Sequence, residues 1–121
     1  MSNSQCIIDG ANMSDEDLKN IPSHVTSLSL DGAKVTDKGI SNLPFLHSIK
    51  SLNLNSTLIT DKSIEIISRF ITIENLWLDN VNLSNEYSLE SLTNLSFVSF
   101  GGNGKSGEID NLSCNLGFRR T

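Results

Sequence analysis

Ser27-Leu28-Ser29-Leu30-Asp31-Gly32-Ala33-Lys34-Val35-Thr36-Asp37 carries the pattern from which the rest of the chain is read. Leu28 and Leu30 alternate with serines, the period of a strand that buries one face. Thr36-Asp37 then suits the start of a helix: a short side-chain oxygen accepts from unpaired N–H groups, and a carboxylate favours the positive helix end. The same order recurs at Leu52 to Asp61 and at Leu76 to Asn85. An imperfect copy runs from Cys6 to Asp15, and another starts at Val98 and loses the pattern after Asn103.

Beyond each Ser/Thr-Asp/Asn step the apolar spacing changes from two to three or four. The series are Leu18, Ile21, Val25; Ile40, Leu43, Leu46, Ile49; Ile64, Ile67, Phe70, Ile73; and Leu89, Leu92, Leu95. Each predicts a short helix with one apolar stripe and a turn back to the next strand. Ser14-Asp15, Thr36-Asp37, Thr60-Asp61 and Ser84-Asn85 are the predicted helix starts, with Asp15, Asp37 and Asp61 read as caps. Pro22 and Pro44 occupy the same place in their coils and predict helices of little more than two turns.

Aligned on Cys6, Leu28, Leu52, Leu76 and Val98, the strands are separated by 22, 24, 24 and 22 residues. Periods in the twenties with this apolar template belong to solenoids. Val25, Leu28, Leu30, Ala33 and Val35 fit the order L-x-x-L-x-L-x-x-N/C-x-L, as do Ile49, Leu52, Leu54, Thr57 and Ile59, and Ile73, Leu76, Leu78, Val81 and Leu83. The first copy supplies Cys6, Ile8, Ala11 and Met13, and the fifth Leu95, Val98, Phe100 and Asn103.

Over residues 5 to 104 the chain therefore resembles the leucine-rich-repeat family, in the subgroup with true helices on the convex side. The resemblance implies an α/β fold: a right-handed solenoid of about five coils, with a parallel concave sheet and short convex helices. It also implies a protein-binding role for the concave face. We expect one domain over 1–121, with repeats at 5–26, 27–50, 51–74, 75–96 and 97–104. The spacing of Ile109, Leu112, Leu116 and Phe118 suits a degenerate coil, so 105–121 is expected to be a C-terminal cap or a tail. Where the family often stacks asparagines, this chain has Ala11, Ala33, Thr57, Val81 and only once Asn103, so a continuous amide ladder is not expected.

The 121 residues carry a formal charge of −5, and a pI near 4.8 argues against a surface built for phosphate backbones. Basic proteins fit better, because a negative face raises their encounter rate. Neither a signal peptide nor a membrane-spanning apolar run is visible. Cys6 and Cys114 lie about four coils apart in such an array, too far for a disulfide. Free thiols favour a reducing cytoplasm. Little chain precedes the first strand, which leaves an edge open to a second copy or to a partner.

Chemistry is sparse. Gly101-Gly102-Asn103-Gly104-Lys105-Ser106 ends like a phosphate-binding loop, but Ser99 stands where the first glycine belongs. His24 and His47 sit in return turns, with no paired His or Cys at ligand spacing. No catalytic residue, metal site or cofactor is expected.

What remains is the solvent side of the strands. Asn75, Trp77 and Asp79, with Asn53 and Asn55, Ser29 and Asp31, Asp9, and Phe97 and Ser99, are the candidate contact residues. Trp77 is the single tryptophan, and aromatic side chains dominate many interfaces. Asp9, Asp31 and Asp79 are expected in one column, with no basic residue on these strand positions. A small acidic cytoplasmic protein of this kind resembles bacterial immunity proteins, and that implies a basic toxin as partner. The alternative is an adaptor or translocated effector that also uses convex residues such as Lys62, Glu65 and Arg69.

Overall fold

The computed structural model describes residues 5–84 and 88–100. The strands are β1 (Ile7–Asp9), β2 (Ser27–Ser29), β3 (Ser51–Asn53), β4 (Asn75–Trp77) and β5 (Phe97–Ser99). They form one five-stranded sheet in chain order, every pair parallel. A 3-10 helix (Glu16–Asn20), α1 (Asp37–Asn42) and α2 (Asp61–Ile67) follow the first three strands and pack successively on one another. Leu18, Ile40, Ile64 and Ile67 from these segments share one core with Leu28, Leu52 and Leu76 from the sheet. Each fully buried leucine or isoleucine contributes on the order of 2 kcal/mol.

The register corrects the alignment of the first coil. Ile8, not Cys6, pairs with Leu28, and the row continues through Leu52, Leu76 and Val98. Cys6 is half-buried just ahead of β1, rather than filling a leucine slot. Its carbonyl accepts from Thr26 N (2.8 Å) and Ser27 N (3.1 Å). The carbonyls of Thr26, Lys50 and Glu74 make the same double acceptance from the following strand. The next inward position, Leu30, Leu54 and Leu78, is Gly10 in the first coil: Gly10 N donates to Ser29 O as Leu30 N does to Asn53 O. A Cβ at Gly10 would meet Met13 Sδ at 2.8 Å and Leu30 Cδ2 at 2.9 Å, so the thioether fills the space of a leucine. Ala11 is consequently exposed.

The Ser/Thr-Asp steps divide their work. Thr36 and Thr60 cap α1 and α2 by accepting from Lys38 N and Lys62 N. The carboxylates, expected to cap their own helices, instead bind the next coil. Asp15 accepts from Thr36 N and Thr36 Oγ1, both at 2.7 Å. Asp37 accepts from Thr60 N (2.8 Å), Thr60 Oγ1 (2.6 Å) and Ser63 Oγ (2.6 Å). Asp61 accepts from Ser84 N and Ser84 Oγ. In each of the first three coils one carboxylate thereby ties down the equivalent Thr or Ser of the coil after it.

Ile21 and Leu43, each preceding a proline, are extended at ψ 128° and 139°, so the chain leaves its helix there. The first helical segment is 3-10 rather than α, and α1 has only six residues. In the fourth coil Leu89, Leu92 and Leu95 are buried as expected. There Leu92 N bonds Leu89 O and Leu95 N bonds Leu92 O, three residues back, in turns rather than in an α-helix. Gly32, Ser56 and Asn80 take equivalent left-handed positions after β2, β3 and β4, with φ of 80°, 59° and 60°. The amide-ladder position holds buried Ala33, Thr57 and Val81, and Thr57 Oγ1 donates to Leu54 O within its own coil. Asn103, the glycine-rich 101–106 stretch, Cys114 and the expected cap at 105–121 lie outside the described residues.

Candidate partner-binding face

Along each strand the residues flanking the buried central one point away from the core. The register sets them in two rows: Ile7, Ser27, Ser51, Asn75, Phe97, and Asp9, Ser29, Asn53, Trp77, Ser99. Asp31, Asn55 and Asp79 follow just beyond β2, β3 and β4, where Gly32 N bonds Asn55 O and Ser56 N bonds Asp79 O. Asp9 therefore lies beside Ser29 and not beside Asp31. The expected column of three aspartates does not exist. Three strand spacings of about 4.8 Å put Asp9 some 14 Å from Trp77.

At the other edge the candidates converge. Trp77 is half-buried and packs on Phe97, with ring centroids 5.5 Å apart and planes at 53°. The two are diagonal neighbours on β4 and β5, a distance that long aromatic side chains bridge. Phe97 keeps 45% of its surface exposed. Ser99 Oγ donates to Asp79 Oδ1 at 2.5 Å, and Asp79 N donates to Asn55 Oδ1 at 2.7 Å. Asn53 Oδ1 accepts from Asn55 N at 2.9 Å, and Asn75 Nδ2 donates to Ser51 Oγ at 3.3 Å. Ser29 Oγ accepts from Asp31 N at 3.5 Å, and Asp9 Oδ1 accepts from Ala11 N at 3.4 Å.

Many polar candidates thus spend hydrogen-bonding capacity on the turns and on cross-strand links. The aromatic pair is the part of the face least committed to the fold. No basic residue occupies the two outward strand rows. Lys50, just before β3, pairs with Glu74 at 3.4 Å on the exposed surface.

Ile7, outward on β1 as the strand period requires, is 69% exposed; Phe45 and Ile71 in the return turns, outside the strand pattern, are 57% and 52% exposed. Phe45 packs on Phe70 with centroids 6.0 Å apart. Their signal was available: each is an apolar residue outside the buried template. His24 and His47 are exposed, and His47 Nδ1 lies 3.0 Å from Ser48 Oγ. Among the described residues no group of three or more His, Cys, Asp or Glu could hold a metal ion. No described helix is long and apolar enough to cross a membrane.

No family model matches the chain, and no curated protein or solved structure compared with it does so either. The class its architecture defines is accordingly the broad one, an α/β chain built on a five-stranded parallel sheet.

Proposed function

We propose that this chain is a leucine-rich-repeat solenoid acting in the cytoplasm as a non-enzymatic protein-binding module. Its concave face takes a basic protein, and an immunity protein that neutralises a cognate bacterial toxin is the form we favour. The chain-ordered parallel sheet and the coil-to-coil carboxylate links support the solenoid. The observation that carries the binding role is the Trp77–Phe97 pair, held on the outward face of β4 and β5 with nearly half of Phe97 exposed. Aromatic anchors of this kind account for much of the energy of many interfaces.

Trp77→Ala is the direct test, paired with Phe97→Ala. Asp79 is unsuited to it, because its carboxylate takes the Ser99 hydroxyl and alanine there would loosen β4 from β5. Affinity capture from the source cell should yield a basic protein with the wild-type chain, and Trp77→Ala should weaken that complex by about 2 kcal/mol or more. An unchanged affinity, with both chains folded by circular dichroism, would sink the proposal. The adaptor reading gains from Phe45 and Ile71, exposed away from the strands. It requires that Phe45→Ser and Ile71→Ser release a second partner while the first stays bound.

A further inference from the structure

We infer that the outer edge of β1, which no described residue pairs with, is a second docking site, one that takes an extended basic segment of another protein as an added strand. The backbone supplies the first argument. Cys6 O and Gly10 N are turned toward β2, bonded to Thr26 N, Ser27 N and Ser29 O. Alternation along the strand then directs the peptide groups of Ile7 and Asp9 outward, and no described strand pairs with them.

Side chains give the second argument. Ile7 is 69% exposed on this strand. At the far end of β1 an open cavity of about 420 Å³ is lined by first-coil residues, among them Asp9, Gly10, Met13, Asp17 and Asn20. An apolar residue at the edge and two carboxylates around an adjoining hollow suit a strand that alternates apolar and basic side chains.

Charge selects the occupant. The first coil carries Asp9, Asp15, Glu16 and Asp17 against Lys19, whose ammonium is paired with Glu16 at 2.9 Å. Pairing β1 with β1 of a second copy would bring two such acidic ends together, whereas a basic segment is attracted by the same field.

The probe is a short capped peptide alternating lysine and valine, titrated by fluorescence anisotropy and followed by amide exchange. Binding should slow exchange at the Ile7 and Asp9 amides. Methylating alternate peptide nitrogens, or replacing lysine by glutamate, should weaken binding about tenfold or more, since the first removes strand pairing and the second reverses the charge. Ile7→Pro removes an outward N–H without taking a bond from the β1–β2 ladder, and should cost a similar factor at unchanged thermal midpoint. Should that variant unfold, Asp9→Asn with Asp17→Asn tests the charge alone and should weaken binding severalfold. Trp77→Ala should bind the peptide as the wild type does, which separates this site from the aromatic face. Four results would each overturn the inference: no binding at about 1 mM peptide, unchanged exchange at Ile7 and Asp9, equal binding of the methylated peptide, or a dimer in sedimentation that Ile7→Pro dissolves.

Discussion

Asp37 opens α1, yet both of its oxygens serve the coil that follows. Burial by itself would raise its pKa, but the Ser63 and Thr60 hydroxyls, the Thr60 N–H and the Lys62 charge outweigh it and hold the carboxyl below the usual aspartate range. The folded state is therefore favoured by ionised Asp37. That contribution is fully present above the ordinary aspartate pKa and is lost as pH falls through the lowered folded value. Asp37→Asn keeps the shape but places an amide nitrogen where an acceptor is needed. It should cost about 1–2 kcal/mol at neutral pH, toward the low end for charged hydrogen bonds because the site is half exposed. Urea unfolding followed over pH should show the gap between wild type and variant closing through the acid range. A gap that persists unchanged in acid would assign the cost to shape rather than to charge.

Between elements, Gly39 of α1 and Ser63 of α2 occupy the same place one coil apart and solve the same problem differently. Ser63 reaches the carboxylate of the preceding coil with its hydroxyl. Gly39 lets Asp15 come so close that an added Cβ would stand 3.0 Å from Asp15 Cα and clash with its carboxylate. Helix propensity alone says that Gly39→Ala should stabilise α1 by about 1 kcal/mol. The contact reverses the sign: we expect destabilisation of about 1–3 kcal/mol, because the obstacle includes backbone and the Asp15–Thr36 link must open. Chemical denaturation decides between the two, and a stabilised variant would show that the 3-10 helix yields easily. The spacing of the apolar stripe had indicated that Gly39 lies in a helix. It carried no sign that another coil approaches that backbone.

For the molecule as a whole, each strand and each helical segment contacts its neighbours in chain order, so stability should vary along the sheet. Leu28, Leu52, Leu54 and Leu76 are fully buried, whereas Cys6 and Ile8 at one end and Val98 and Phe100 at the other are half-buried. Native-state hydrogen exchange should be slowest at the Leu30 and Leu54 amides, which bond Asn53 O and Trp77 O. It should quicken toward β1 and β5. Leu54→Ala should cost about 2–5 kcal/mol and Val98→Ala clearly less, because a half-buried side chain has less contact to lose. Equal protection across all five strands would show that the chain opens as one unit.

Local patterns determined which residues turn inward. The two-residue period of a strand leaves Ile8 inward, with Ile7 and Asp9 outward, even when the partner is misjudged by two positions. For the same reason Thr36 and Thr60 were legible as caps, since they act on N–H groups two residues away in their own coil. Burial of Leu89, Leu92 and Leu95 was legible too, but a spacing of three does not separate an α-helix from successive turns. Tertiary structure decided the rest. The pairing of Ile8 with Leu28 depends on the Cys6 carbonyl meeting Thr26 and Ser27 from another coil, and the destination of Asp15, Asp37 and Asp61 depends on a hydroxyl more than twenty residues away. The Cys6 contact broke up the expected aspartate column, and the Glu74 carbonyl, bonding Ser96 and Phe97, set the register that brings Trp77 onto Phe97. Alternation within one strand sets the side on which a residue points, whereas its neighbours are set by hydrogen bonds between strands that are distant in the chain.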